Sequence, residues 1–301
     1  MEPSDTPGTW LCGTVLAPDF AAALADYREH FALRVVEGGL VPPDLARSWG
    51  APAQVGCRYA LLAPAEGGSG GFLRLVGGSP VPDYRPLRSY GWAAFELTVR
   101  DGPSLHRRLE GTAFRILGPP KPVPGFDAFI PFQVAGRSGE VLYLNTVLAD
   151  TPSYDLPRAQ AEVDRMFIAV LAAEDLERAL EFHGPLLGFE KGQRYRFAYS
   201  MINQSFGLPE DHETDVAMTS LGRRPLVEVD RYPEAAEYRP RNPGELPPGN
   251  ALVTLTVATL DRVRAPFIEP PVARDGPLYR GRRVACVRGP DDERVELVEC
   301  A

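Results

Sequence analysis

Two stretches of the chain, about half its length apart, carry the same order of apolar and polar positions. In each, a short β-like apolar run (9–17 and 165–172) leads to an aspartate, Asp19 or Asp175, and then to apolar residues at helical spacing. An aspartate at this point can accept hydrogen bonds from the free N–H groups of the first helical turn. The pattern predicts two strand–helix units, with Asp175 lying 156 residues after Asp19.

Other positions repeat at nearly the same distance, which indicates internal duplication. Three further pairs match after 158, 153 and 154 residues: Thr98 with Thr256, Tyr143 with Glu296, and Arg74 with Glu228. We therefore predict four modules, each built from a strand and a helix followed by about three more strands. Their approximate spans are 9–80, 90–148, 165–232 and 249–300.

A polar segment between the second and third modules predicts how the chain divides. Residues 149–164 contain two prolines and lack strand periodicity, which is typical of an interdomain linker. We expect an N-terminal domain of paired modules over 1–148, this linker, and a C-terminal domain of paired modules over 165–301. We place the active site in the C-terminal domain.

The fourfold order resembles the vicinal oxygen chelate superfamily, which includes glyoxalases, extradiol dioxygenases and bleomycin-resistance proteins. The local marks are the strand–Asp–helix–LGF run at 168–189, the segment LPPGNALVTLTV at 246–257 and the closing DDERVELVE at 291–299. The resemblance covers nearly the whole chain and implies an α+β fold. Paired βαβββ modules would form two tandem half-barrel domains in the arrangement of extradiol dioxygenases, with the ligand on a concave face.

Composition narrows the class of partner. The chain has 301 residues, a net charge of −8 and no basic stripe, which excludes nucleic acid as an expected partner. No apolar run is long enough to span a bilayer, so no membrane partner is expected. The four cysteines are scattered without a CxxC pair and are interpreted as free thiols of a cytoplasmic protein. We expect a small-molecule substrate and a possible homodimer.

The resemblance also implies where a metal would bind, namely on the first and last strand of each module. These positions are Ile168, Glu228, Leu252 and Glu296 in the C-terminal domain, and Cys12, Arg74, Ala93 (or Trp92) and Tyr143 in the N-terminal domain. Neither set contains a histidine, and transition metals prefer imidazole or thiolate ligands. We therefore predict no metal and no other cofactor, and a scaffold role for the N-terminal domain.

Two glutamates are the main catalytic candidates. Glu228 and Glu296 alternate with apolar neighbours on strands, which favours their placement on the concave face. If they share one pocket, the pKa of one is raised, and the pair could act as acid and base. The alternative is a solvated strand face, where glutamate is common. His212, in the loop LPEDHETD, is a third catalytic candidate, with a solvated loop histidine as its alternative.

Substrate-binding candidates come from the same resemblance and from alternation in RYRFAYSMIN (194–203). The odd positions include Tyr195, Tyr199, Met201 and Asn203, which period-two alternation places on one strand face. A packed core face is the alternative. Ile168, Leu252 and Thr254 complete the set of expected substrate contacts.

Three functions remain open at the level of sequence. The first is a metal-independent enzyme of isomerase, lyase or cyclase type, which moves protons on a small aromatic or polyoxygenated metabolite. The second is a non-catalytic binding or resistance protein, and the third is a metal-dependent dioxygenase or glyoxalase. No GxSxG, Walker or GxGxxG motif occurs, so acyl-enzyme and nucleotide chemistry are not expected.

Overall fold

The computed structural model of the chain describes residues 6–68, 72–122 and 127–300, and in these ranges sixteen strands form two eight-stranded sheets. The first module contains β1 (Trp10–Ala17), α1 (Phe20–His30), β2 (Leu33–Leu40), α2 (Pro43–Ser48), β3 (Arg58–Pro64) and β4 (Phe72–Gly77). The second contains β5 (Gly91–Val99), α3 (Gly102–Leu109), β6 (Arg115–Gly118), β7 (Phe129–Ala135) and β8 (Val141–Val147).

The second half of the chain repeats this order. The third module contains β9 (Val163–Ala173), α4 (Leu176–Glu181), β10 (Glu190–Ala198), α5 (Ser200–Phe206), β11 (Glu213–Leu221) and β12 (Arg224–Arg231). The fourth contains β13 (Gly249–Val257), β14 (Val272–Ala273), β15 (Arg283–Arg288) and β16 (Arg294–Glu299). The α+β class with four repeated modules is therefore confirmed, and the first three of them contain the expected helix after the first strand.

The predicted helix starts are confirmed by their caps. The Asp19 side chain accepts a hydrogen bond from the amide of Ala22 (3.2 Å), and Asp175 accepts from the amides of Glu177 (2.9 Å) and Arg178 (3.1 Å). These bonds satisfy N–H groups that have no partner within the helix.

The fourth module differs from the others in its helix. The fourfold pattern predicts a short helix after β13, but this segment forms only a 3-10 turn over Leu260–Arg262. Pro266 disfavours helical geometry at Ala265, which limits how far a helix could extend in this segment.

The pairing of modules corrects the expected arrangement. One sheet has the order β14-β15-β16-β13-β1-β4-β3-β2 and joins the fourth module to the first. The other has the order β10-β11-β12-β9-β5-β8-β7-β6 and joins the third module to the second. The sequential pairing expected within 1–148 and within 165–301 is therefore wrong at the level of the sheets. All four first strands are similarly apolar, so the repeat alone does not specify which two of them pair.

A central core lies between the two sheets and includes the helices. Val15 of β1, Phe95 of β5, Tyr27 of α1 and Leu180 of α4 are among its buried residues. The sheets approach closely at Gly13, where a Cβ atom would lie 2.7 Å from the Phe95 ring. A side chain at this position would therefore push the sheets apart.

Each sheet has a second apolar cluster on its other, concave face. We call the sheet of the first and fourth modules the first half-barrel, and the sheet of the second and third modules the second half-barrel. A short helix packs into each concave face, α2 in the first and α5 in the second. No helix within 6–68, 72–122 and 127–300 is long and apolar enough to cross a membrane.

Candidate functional site

A buried ion pair lies on the concave face of the first half-barrel. Arg74 of β4 donates to Glu296 of β16 (3.2 Å) and to the hydroxyl of Tyr279 (2.8 Å). The Glu296 carboxylate also accepts from the Thr254 hydroxyl (2.8 Å) and from the indole N–H of Trp49 (2.8 Å). All five side chains are buried. Both charges are thus paired, and every contact is internal to the protein.

Apolar side chains fill the remaining space of this face. Trp49, which follows α2, lies beneath the Arg74 guanidinium, whose carbon is 4.5 Å from the ring centroid. Leu45, Leu252 and Cys12 belong to the same buried cluster. The concave face of the first half-barrel is therefore filled by buried core side chains. Leu252 and Thr254, expected to bind substrate, are core residues here.

The second half-barrel carries three carboxyl groups on its concave face. Glu228 and Asp230 lie two residues apart on β12, and Glu96 lies on β5. Asp230 is 1% exposed and Glu96 is 7% exposed, whereas Glu228 is partly exposed. Glu228 is therefore the one carboxyl of the three that a ligand could reach directly.

Neutral groups provide the hydrogen bonds to these carboxyls. The Tyr199 hydroxyl donates to Glu228 Oε1 (3.0 Å), and the Asn145 amide donates to Glu96 Oε2 (2.9 Å). A side-chain hydrogen bond also joins Asp230 and Glu228. In the parts of the chain that the structure describes, no Arg, Lys or His forms a salt bridge with any of the three.

Burial without a cation raises the pKa of every carboxyl in this group. Burial raises the pKa of Glu228 to about 7, although the hydrogen bonds from Tyr199 and Asp230 oppose the shift. Burial and the charge of Glu228 raise the pKa of Glu96 and of Asp230 well above the usual range. Near neutral pH, Glu228 is therefore divided between its two forms, and Glu96 and Asp230 hold a proton more strongly than a free carboxyl does.

Two oxygen acceptors in this region lack a partner. Asp230 Oδ1 and Asn145 Oδ1 are buried and accept no hydrogen bond from any described residue. A buried acceptor without a partner costs about 1–3 kcal/mol. Both residues are 1% exposed, so the cost is carried by the folded protein and is not open to direct relief by a ligand in this structure.

The segment 194–203 corrects the prediction of one continuous strand face. β10 ends at Ala198 and α5 begins at Ser200, so Met201 and Asn203 lie on a helix. Tyr195 and Tyr199 are half-buried beside the concave cluster, and Met201 is buried within it. Ile168 of β9 also belongs to this cluster.

Asn203 and His212 have structural rather than catalytic surroundings. The Asn203 amide donates to the backbone carbonyls of Glu210 (3.2 Å) and His212 (2.9 Å), which fastens the loop that follows α5. The His212 residue is exposed. The structure thus does not place His212 next to the carboxyls of Glu228, Asp230 and Glu96.

The predicted pairing of Glu228 with Glu296 is wrong. Glu296 lies in the first half-barrel with Arg74, and Glu228 lies in the second with Asp230 and Glu96. They occupy equivalent strand positions, but in different sheets, because the modules that carry them do not share a sheet.

Sequence reasoning missed Glu96 and Asp230. The spacing of 158 residues that relates Thr98 to Thr256 also relates Glu96 to Thr254. Strand alternation from Glu228 places Asp230 on the same face. Both signals lie in the sequence, but the predicted first-strand position was Ala93 or Trp92, a few residues too early.

Comparison with solved structures identifies the fold. Glyoxalase I from Zea mays superposes with a TM-score of 0.61 at 17% identity, over 96% of this chain and 92% of that one. A putative dioxygenase from Bacillus subtilis gives 0.59 at 10% identity, over 100% of this chain and 86% of that one. The chain has the vicinal oxygen chelate fold. No protein-family model matches the sequence, and no curated protein matches it.

The residues present do not fit the divalent metal that the vicinal oxygen chelate fold often holds. In the first half-barrel, Arg74 occupies one of the strand positions and is paired with Glu296. In the second, Glu96 and Glu228 are bound to neutral donors, and Tyr143 occupies another position. Among the described residues, no three His, Cys, Asp or Glu side chains are grouped so that they could hold a metal ion.

Proposed function

We propose that the chain is an enzyme that moves protons on a small aromatic or polyoxygenated metabolite, without a metal, in the second half-barrel. The observation that carries the proposal is Glu228, a reachable carboxyl whose pKa of about 7 follows from burial. A general base works best when its pKa is close to the working pH. The same group can then return the proton as an acid, as an isomerase or lyase requires.

Each neighbour of Glu228 has a part in this proposal. Glu228 accepts a proton from a carbon or oxygen of the substrate and becomes neutral. Tyr199 donates a hydrogen bond to the Glu228 carboxylate, and Asp230 shares another with it, so that both neighbours hold its orientation. Proton return to a second substrate atom completes an isomerisation. Loss of a leaving group before the return gives a lyase reaction.

The surroundings support the proposed class of substrate. Tyr195 and Tyr199 offer aromatic faces next to Glu228, which suits an aromatic ring. The Glu228 carboxylate, which is partly exposed, suits a molecule with hydroxyl groups. Apolar walls with a few convergent polar groups are typical of small-molecule sites.

Deuterium exchange tests the proposal even while the natural substrate is unidentified. Small aromatic and polyoxygenated compounds that raise the melting temperature would be incubated with the protein in D2O and followed by NMR. We expect loss of a C–H signal for at least one compound. Glu228→Gln should slow this exchange about a hundredfold or more.

Matched variants separate the alternatives. Glu296→Gln, in the first half-barrel, should leave the exchange rate per folded molecule unchanged. Stoichiometric binding without exchange or turnover would instead support a binding protein. Exchange that chelators abolish and iron, zinc or manganese restores would support a metal-dependent enzyme and contradict the proposal.

A further inference from the structure

A pocket separate from the three carboxyls lies between the segment that precedes β5, strand β6 of the second module and helix α5 of the third. Its volume is about 440 Å³, within the range of small-molecule sites. The walls come from the segment 85–88, from β6 residues 115–117 and from one side of α5. One of its walls is α5, which packs into the concave face of the second half-barrel, and we therefore call it the rim pocket.

The charge of the rim pocket is opposite to that of the whole chain. Arg85, Arg88 and Arg115 line it, and its described lining contains no Asp or Glu, although the net charge of the protein is −8. Three cations that share one small cavity repel one another, and an anion in the cavity would relieve this repulsion.

Two of these arginines have no acidic partner. Within the described ranges, neither Arg85 nor Arg115 takes part in a side-chain hydrogen bond or salt bridge, and both are exposed. Arg88 is held in place, because its guanidinium donates to the Ser205 carbonyl (2.5 Å) and lies 4.5 Å from the centroid of the Phe206 ring. The pocket therefore combines one fixed arginine with two that can adjust to a ligand.

The floor of the rim pocket is apolar. Leu87 and Met201 are buried members of the concave cluster, and Leu117 packs against it. Ile116 is half-buried and packs against the central core. A ligand could thus place an apolar body on this floor while its charged end meets the arginines.

We propose that the rim pocket binds a small molecule with an apolar body and one anionic group, a carboxylate or a phosphate. Arginine recognises both groups through its planar set of N–H donors. The inference does not depend on the proposed proton transfer, because it concerns binding alone.

Calorimetric titration tests this proposal with three probes of similar size: benzoate, phenyl phosphate and the neutral benzyl alcohol. We expect saturable binding of at least one anion and at least fivefold weaker binding of benzyl alcohol. Tighter binding of benzoate assigns a carboxylate ligand, and tighter binding of phenyl phosphate assigns a phosphate. Affinity for the anion should fall as salt rises.

Variants locate the binding site. Arg85→Ala and Arg115→Ala should each weaken the better anion at least fivefold. Gln204→Glu keeps the size of an exposed lining residue and adds a negative charge, so it should weaken binding similarly. Arg107→Ala, which removes an exposed arginine of α3 outside the pocket, should change nothing. No saturable anion binding, equal binding of benzyl alcohol, or equal effects of Arg107→Ala and Arg115→Ala would each overturn the proposal.

Discussion

At the residue scale, equivalent strand positions in the two half-barrels hold side chains of different charge. Arg74 and Glu296 neutralise each other within a closed set of contacts. Among the residues that the structure describes, Glu228 and Glu96 have neutral donors alone, and their pKa values rise. Three exchanges at equivalent positions, Arg74 against Glu228, Thr254 against Glu96 and Glu296 against Tyr143, thus give one face a neutralised ion pair and the other a set of carboxyls with raised pKa values.

Removal of one member of the buried pair should strongly destabilise the protein. Arg74→Met leaves Glu296 buried without its cation, which costs about 3–5 kcal/mol in comparable cases. Urea denaturation would measure the free energy of unfolding. Arg283→Met is a matched control, because the pairs of Arg283 with Asp261 and Glu299 lie at the surface, where water and salt screen them, and their loss should cost much less. Equal losses for both variants would show that the buried pair contributes no more than a surface pair.

Glu140 should make stability depend on pH. It is buried and accepts from the Tyr27 hydroxyl (2.7 Å), and burial raises its pKa to about 7. A carboxyl with a raised pKa in the folded state contributes stability that is complete below the unfolded pKa near 4.5 and is lost as pH rises through about 7. The shift corresponds to about 3 kcal/mol at most.

Glu140→Gln isolates this contribution. The variant cannot ionise, so its unfolding free energy should fall less than that of the wild type between pH 5 and pH 8. Denaturation with urea at each pH provides the comparison. Parallel curves for the two proteins would show that Glu140 does not titrate in this range.

At the element scale, local sequence signals predicted where helices start but not where strand β10 ends. The Asp19 and Asp175 caps were readable because a cap and its helix are adjacent in sequence. The switch from β10 to α5 was not readable, because the alternation in 194–203 also suits a strand. α5 ends at Gly207 in the left-handed conformation (φ 64°), and the Asn203 side chain bonds to the loop beyond. These contacts depend on the folded loop and leave no periodic pattern.

Asn203 should hold the loop that follows α5. Asn203→Ala removes two hydrogen bonds to backbone carbonyls and should cost about 1–3 kcal/mol. Amide hydrogen exchange in residues 207–213 should also become faster. Gln204→Ala, at the neighbouring exposed helix position, should leave both stability and exchange unchanged. Unchanged exchange in the Asn203 variant would show that the loop is held by other contacts.

At the scale of the whole molecule, two kinds of contact join the modules. Sheets join the first module to the fourth and the second to the third. Modules adjacent in sequence meet instead through a helix and a turn: Tyr27 donates to Glu140 (2.7 Å), and His183 lies 2.6 Å from Glu293. The repeat in the sequence predicted the four modules but not which modules share a sheet, because that depends on contacts between distant segments.

The strand order of the two sheets predicts that neither half of the chain folds stably without the other. Each half supplies one module to each sheet, so β1 and β5 lose their neighbours β13 and β9 when 165–301 is absent. We expect residues 1–148 and 165–301, produced separately, to show no cooperative unfolding as monomers. Produced together, they should form a stable one-to-one complex, because the sheet edges can pair again.

Cleavage of the intact protein provides the matched control. A protease site inserted between Arg158 and Ala159 lies between β8 and β9, in a segment without helix or strand. After cleavage the two fragments should stay together on size exclusion and separate only in denaturant, since both sheets contain strands from each fragment. Sequentially paired domains would behave differently, because each fragment would keep a complete sheet. Release of two folded monomers in native buffer would therefore contradict the sheet order and restore the sequential pairing.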